Sequence, residues 1–233
     1  MRVGPGMNAL DMANTWWAFA TLGWEPGAEA RAALEAAVVR LGPDMMAQQV
    51  SNTVHACSKL GRSPGGEARA AMEAAVVRVA PRMNAQDVSN TVFAYAKLGR
   101  MPGAKAWTAL EAAAGRVAPG MTAQGVANLL WGLLSVAATR GVPLPACYPS
   151  LWRAASGLDV ASLKDVDLCN LFHAYLTHAE LIRRHVRGDV GFPAWMRNAR
   201  DGVNVTRSHK EIASIIGELG IRHEAGGLLR TST

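Results

Sequence analysis

The chain has 233 residues, half of them hydrophobic and 18% charged, enough apolar material for a sizeable core and too much for a disordered polyelectrolyte. Its formal net charge of +6 and pI near 9.6 favour a polyanionic partner over an acidic one. Arg, Glu and Gly interrupt the alanine-rich stretches every few positions, so no run reaches the roughly 18 apolar residues of a membrane helix, and no membrane partner is expected. Cys57, Cys147 and Cys169 are odd in number and far apart. They lack the paired spacing of a zinc site or a disulfide framework and read as small core residues in a reducing compartment.

Met1 to Gly6 is too short for a signal or transit peptide, and a recurring pattern begins at once at Met7. MNALDMANTWWAFATLGW returns as MMAQQVSNTVHACSKLGR from Met45, as MNAQDVSNTVFAYAKLGR from Met83 and, more weakly, as MTAQGVANLLWGLLSVAA from Met121, always at the same interval. Asn14, Asn52, Asn90 and Asn128 keep the register. A divergent copy, LKDVDLCNLFHAYLTHAE from Leu163, follows after a slightly longer interval with Asn170 in the same place. Self-similarity at this period marks an architecture whose units bury their apolar faces only by stacking. The expected fold is all-α, a right-handed α-solenoid of 38-residue helix–turn–helix repeats followed by a less regular helical segment. The expected organisation is four repeats over 7–138, a proline-containing connection with a short helix over 139–162, a fifth repeat over 163–190 and a basic helical tail over 191–233.

Within each copy the first helix is predicted to start near Asn8, Asn84 or Thr122, side chains able to cap free backbone amides, with Asp11 and Asp87 completing capping boxes. It ends at Gly23, Gly61 or Gly99, where glycine takes a left-handed conformation. A loop containing Pro26, Pro64 or Pro102 leads into a second helix with apolar residues at helical spacing: Leu34, Ala37, Val38, Leu41; Met72, Ala75, Val76, Val79; Leu110, Ala113, Ala114, Val117. Pro43, Pro81 and Pro119 stop it. After Ala138 the period lapses through TRGVPLPACYPS, a loop or a short insertion before a helix near Leu151. Beyond Glu180 the composition turns to Arg, Gly and isolated aromatics. The cluster Arg183, Arg184, His185 and Arg187 fits a solvated face as well as a polyanion site, and a last amphipathic helix is predicted over Ser208 to Leu219.

A 100° step per residue separates the faces of the first helices. Val88, Thr91, Val92, Tyr95 and Leu98, with Met12, Thr15, Trp16, Phe19, Leu22 and Val50, Thr53, Val54, Cys57, Leu60, form the side that packs on the second helix. The other side carries Gln48, Asn52, His55 and Lys59; Gln86, Asn90, Phe93 and Lys97; Gln124, Asn128, Trp131 and Ser135. The first and fifth copies place Leu10, Asn14, Trp17, Thr21 and Val166, Asn170, His173, Thr177 there. Each copy thus offers an amide, then a ring three residues later, then a hydroxyl or ammonium. Rings stack on bases for roughly 1–3 kcal/mol each, amides bond base edges, and Lys or Ser holds phosphate. Helical-repeat readers of single-stranded RNA use about one base per repeat. Two structural alternatives stand beside this reading. The asparagines are equally suited to a ladder on the neighbouring backbone, and the rings to the seam between adjacent first helices, where His55 and His173 fit less comfortably because a buried imidazole needs partners.

The repeated unit, with its AQDVSNTVFAYAKLG first helix and the PGAKAW start of its second, resembles the octotricopeptide repeats of green algae over Met7 to Ala138, and loosely over Leu163 to His178. Pro102 to Trp107 matches the Pro-to-Trp motif of that family; Arg31 and Arg69 replace the Trp in the first two copies. TRSHKEIASIIGELGIRHE resembles the segment preceding the RAP domain in related FASTK-like proteins. The resemblance implies a helical-repeat RNA-binding factor of chloroplasts or mitochondria acting on maturation, stability or translation of organellar mRNA or rRNA, alone or with other ribonucleoprotein components. It also implies a longer precursor carrying the targeting peptide and the RAP domain. No nucleophile–base pair, metal-ligand cluster or phosphate loop is present, so no catalysis and no cofactor are expected. The expected RNA contacts are Asn14, Trp17, Gln48, Asn52, His55, Lys59, Arg62, Gln86, Asn90, Phe93, Lys97, Arg100, Gln124, Asn128, Trp131, Asn170 and His173, with a peptide-binding scaffold as the alternative function.

Overall fold

The structure is a computed structural model that describes residues 6–156 continuously and single positions between 158 and 174. These residues form helices and no strand. The Arg183–Arg187 cluster, the tail helix over Ser208 to Leu219 and the rest of 191–233 lie outside the described residues.

Helices α1 (Ala9–Leu22), α3 (Ala47–Lys59), α5 (Ala85–Lys97) and α7 (Ala123–Arg140) are the first helices of the four copies. Helices α2 (Ala28–Leu41), α4 (Gly66–Val79) and α6 (Ala104–Val117) are the second helices of three, and α8 (Tyr148–Ser156) follows the lapse in the period. The predicted caps form. Asn8 Oδ1 accepts from the amides of Leu10 and Asp11, Asn84 Oδ1 from Asp87, and Thr122 Oγ1 from Gly125, at 2.8–3.2 Å. The second copy has Met46 at this position, and Gln49 Oε1 accepts the Met46 amide at 2.8 Å in the manner of Asp11 and Asp87. Gly23, Gly61 and Gly99 adopt φ of 61–68°, the left-handed region that stops the first helix. In the fourth copy Ala137 occupies the glycine position, and α7 runs about one turn further to Gly141, also left-handed at φ 63°. Pro43, Pro81 and Pro119 each sit in a short 3₁₀ turn after the second helix.

First helices pack side by side in chain order, α1 on α3, α3 on α5, α5 on α7. Second helices do the same, and each copy's two helices also touch; α8 lies against α6 and α7. The buried residues are those that periodicity selects. Met12, Trp16, Val50, Val54, Val88, Val92 and Tyr95 of the first helices are buried, as are Leu34, Val38, Met72, Val76, Leu110 and Ala114 of the second. Among the predicted core positions Leu22 is exposed, at the last residue of α1. Cys57 and Cys147 are buried free thiols, and Cys169 is half-buried. Burial pushes Cys57 up to about 12 and Cys147 up to about 11, so both stay protonated packing residues at neutral pH.

Side chains also bond across consecutive copies at equivalent positions. The Arg78 guanidinium donates to the carbonyls of Gly42 and Met45 at 3.0 and 2.6 Å, and Arg116, its counterpart in the next copy, donates to those of Ala80 and Met83 at 3.2 and 2.6 Å. Arg40 donates to Met7 O at 3.0 Å. Arg78 and Arg116 thus reach the 3₁₀ turn of the copy before, at Gly42 and Ala80, and all three arginines reach the first residue of their own copy, Met7, Met45 or Met83. Glu73 of α4 reaches the following copy, its Oε2 accepting the Gly103 amide at 3.0 Å.

Replacing Arg78 by Ala removes two charge-assisted bonds and should lower unfolding free energy by about 1–3 kcal/mol. Arg82→Ala, an exposed arginine in the adjoining 3₁₀ turn, should stay within about 0.5 kcal/mol of the parent. Urea unfolding followed by circular dichroism compares the two.

Candidate nucleic-acid interface

Along α3 the side chains Gln48, Asn52, His55 and Lys59 follow one another at steps of four, three and four, one line along a helix face. The equivalent lines on α5 and α7 lie beside it because these helices pack in order. The lines stand in register at the rings. Trp17 lies 5.6 Å from His55 between centroids, His55 6.5 Å from Phe93, Phe93 4.9 Å from Trp131, and Trp131 6.3 Å from His173, with interplanar angles of 25–47°. Five rings from five helical segments thus form one continuous row.

The rings therefore occupy the seam between first helices and touch one another there, including the two histidines that were expected to fit it least. They are not all covered. Trp17 is 39% exposed, His55, Phe93 and Trp131 are half-buried, and His173 is 5% exposed. The His55 Nδ1 is buried without a hydrogen-bond partner. Burial, reinforced by Lys59 and then Lys97, lowers the His55 pKa against a hydrogen bond with the Asn90 backbone that favours the cation. Burial lowers that of His173. Both imidazoles are consequently neutral at physiological pH and supply planar surface rather than charge.

The asparagine row lies one turn away. Asn14 is exposed, Asn52, Asn90, Asn128 and Asn170 are half-buried, and Asn170 Nδ2 donates to Asn128 Oδ1 at 3.0 Å. That bond joins two side chains of the row, where the alternative from the sequence was a bond to backbone. Gln48, Gln86 and Gln124, one turn further out, are exposed, as are Leu10 and Val166 at the same position, each at 54%. At the opposite end of the lines Lys59 and Lys97 are exposed, and the Lys59 ammonium stands 5.2 Å from the centroid of the Trp17 ring, a cation–π distance. Arg62 and Arg100 are exposed beyond them, Arg62 at 3.5 Å from the Glu25 carboxylate. The structure thus brings all seventeen residues named from the sequence onto one side of the first helices or the turns that follow them.

Two features escaped the sequence reading. Trp24, 66% exposed, stands in the register of Arg62 and Arg100, and this correspondence between copies was the available signal. The Arg140 guanidinium donates to the Gly99 carbonyl, a placement that follows from the extra turn of α7. Among the described residues no helix is long and apolar enough to cross a membrane, and no three His, Cys, Asp or Glu side chains converge as a metal site requires. No protein-family model and no curated protein matches the chain.

His55 supplies a titration with a defined sign. Its folded pKa lies below the ordinary 6.5 of an imidazole, so the unfolded chain binds more protons between the two values. Stability is full above 6.5 and falls as the pH drops through the folded pKa. The melting temperature should decrease from about pH 8 to about pH 5.5, and less so in His55→Phe, which installs the ring found at Phe93 and removes the His55 contribution while His173 keeps its own. Thermal melts across that range compare the slopes.

Proposed function

We propose that the chain is a right-handed α-solenoid of 38-residue helix–turn–helix repeats that binds single-stranded RNA along its first helices. The observation that carries this reading is the row of five rings in register, bordered on one side by exposed glutamines and on the other by exposed lysines. A planar apolar strip offers the faces of bases something to lie on, amides offer donors and acceptors to base edges, and ammonium groups offer a phosphate path. The net charge of +6 works in the same direction. The resemblance to octotricopeptide repeats adds the biological setting: organellar transcripts, with a role in their processing, stability or translation in chloroplasts or mitochondria. No catalytic step is part of the proposal. The four copies over 7–138 and the divergent copy over 163–190 make up the binding module, and the sequence of 191–233 resembles the segment that precedes a RAP domain.

The ring row is also an apolar strip on which an extended peptide can lie, and salt separates the two ligands. Binding of a labelled single-stranded RNA should weaken with salt at a log–log slope of about −0.7 per phosphate neutralised. Lys59→Gln and Lys97→Gln, exposed substitutions that leave the contacts between rings intact, should each flatten that slope by about 0.7. Binding that ignores salt and both substitutions would favour the peptide scaffold. Alanine at all of Trp17, His55, Phe93 and Trp131 is a poorer probe, because the rings pack on one another and their removal opens cavities along the seam.

A further inference from the structure

The ring row closes one mode of RNA reading and leaves another open. A base intercalated between two rings needs parallel planes about two stacking distances apart, roughly 7 Å given the 3.4 Å spacing of stacked nucleotides. Successive centroids here are 4.9–6.5 Å apart and the planes are tilted by up to 47°. No slot for a base exists between them, so bases lie across the row and the rings act as a floor. A floor of mixed Trp, His and Phe stacks every base and distinguishes none by hydrogen bonding. The asparagines are only half open, and the Asn128 oxygen already accepts from Asn170. Gln48, Gln86 and Gln124 remain: exposed, at the same place in three successive copies, one turn outside the asparagines. On each of α3 and α5 the glutamine stands three helical turns from the lysine, about 16 Å along the helix axis at 1.5 Å per residue, with the ring between. A nucleotide laid across that line, phosphate toward the lysine and base over the ring, turns the far edge of its base to the glutamine amide.

Resting on the RNA reading above, we infer that Gln48, Gln86 and Gln124 are the specificity-determining residues, and that they read three consecutive nucleotides of the same base. Adenine is the base assigned, because an amide offers one acceptor and one donor that pair bidentately with adenine N6 and N7, an edge that single strands leave open. Leu10 and Val166 occupy the same exposed position in the flanking copies and have no hydrogen-bonding group, so they set no base. The preferred site is an adenine triplet with unselected nucleotides on either side.

The test uses the full chain and fluorescently labelled 12-nucleotide RNAs, a uridine background with a central triplet varied one position at a time. Wild type should prefer the adenine triplet by roughly five-fold or more per substituted nucleotide. Gln86→Ala should abolish the preference at the middle nucleotide and keep it at the outer two. Leu10→Gln, at an exposed position where folding is unaffected, should extend the preferred run to four. Salt-sensitive RNA binding whose base preference is untouched by Gln86→Ala and Leu10→Gln, or whose preference follows an exchange of the rings at His55 and Phe93, overturns the inference and leaves RNA binding standing. Absence of salt-sensitive binding to any of the RNAs overturns both. Unchanged melting temperatures for Gln86→Ala and Leu10→Gln tie the result to recognition.

Discussion

The close approach of consecutive first helices is the constraint on which the rest of the structure depends. It is set by small residues at two positions per helix. Ala13, Ser51, Ser89 and Ala127 recur at the repeat interval and are all buried, as are Ala56, Ala94 and Gly132 at a second position with the same interval. At α5 and α7 the contact is tightest. A Cβ added to Gly132 would stand 2.9 Å from Val92 Cγ1 and 3.3 Å from the Phe93 amide, closer than side chains normally pack, so only glycine admits the neighbouring backbone there. Phe93 and Trp131, flanking this contact, have the shortest ring separation of the row. Ser51 adds a bond to the seam, its hydroxyl donating to the Asp87 carbonyl at 3.2 Å.

Once the helices are held at that distance, the ring position becomes tolerant of identity. Tilted contacts at centroid separations of 4.9–6.5 Å suit any pair of planar groups, since offset and tilted arrangements satisfy the ring quadrupoles better than face-to-face stacking. This explains how Trp, His, Phe, Trp and His succeed one another on a constant scaffold. It also explains the neutral state of the histidines. An imidazolium at His55 would lie between two aromatic neighbours and near the ammonium groups of Lys59 and Lys97, with burial working against it. The lysines stand at the solvent edge instead, one of them over the Trp17 ring.

Much of this was legible in the sequence because it is local. Caps at Asn8, Asn84 and Thr122, stops at Gly23, Gly61 and Gly99, and the buried faces of both helix types are dictated by residues within a turn or two of one another. The separation of neighbouring helices is not local. Periodicity assigned Asn, ring and lysine to one face of α3 and could not say how far that face stood from α5, so the rings remained open to either stacking on a base or filling a seam. The small residues that decide the matter were present in the repeated VSNTV and in the alanine that follows the ring, but a residue is informative about interhelical distance only once its neighbour is known. The length of α7 escaped for a simpler reason: with Ala137 where glycine stands in the earlier copies, nothing halts the helix before Gly141.

The bonds between second helices suggest why the exposed face can diverge without cost to the fold. Arg31 and Arg69 pair with Glu35 and Glu73 one turn on, at 2.9 and 3.9 Å. In the next copy Trp107 replaces the arginine, and its side chain hydrogen-bonds Glu111, partly offsetting the rise in the Glu111 pKa that burial causes. The glutamate is oriented in each case by whichever donor precedes it. The partner across copies, the Gly103 amide for Glu73 and the Gly42 and Ala80 carbonyls for Arg78 and Arg116, belongs to the backbone. A backbone group is offered by any residue, so these bonds place no demand on the side chains of the adjoining copy. The seam demands small residues and planar rings, the second row demands one arginine and one glutamate, and neither demand reaches Leu10, Gln48, Gln86, Gln124 or Val166. Those positions are free to vary for the sake of whatever they touch.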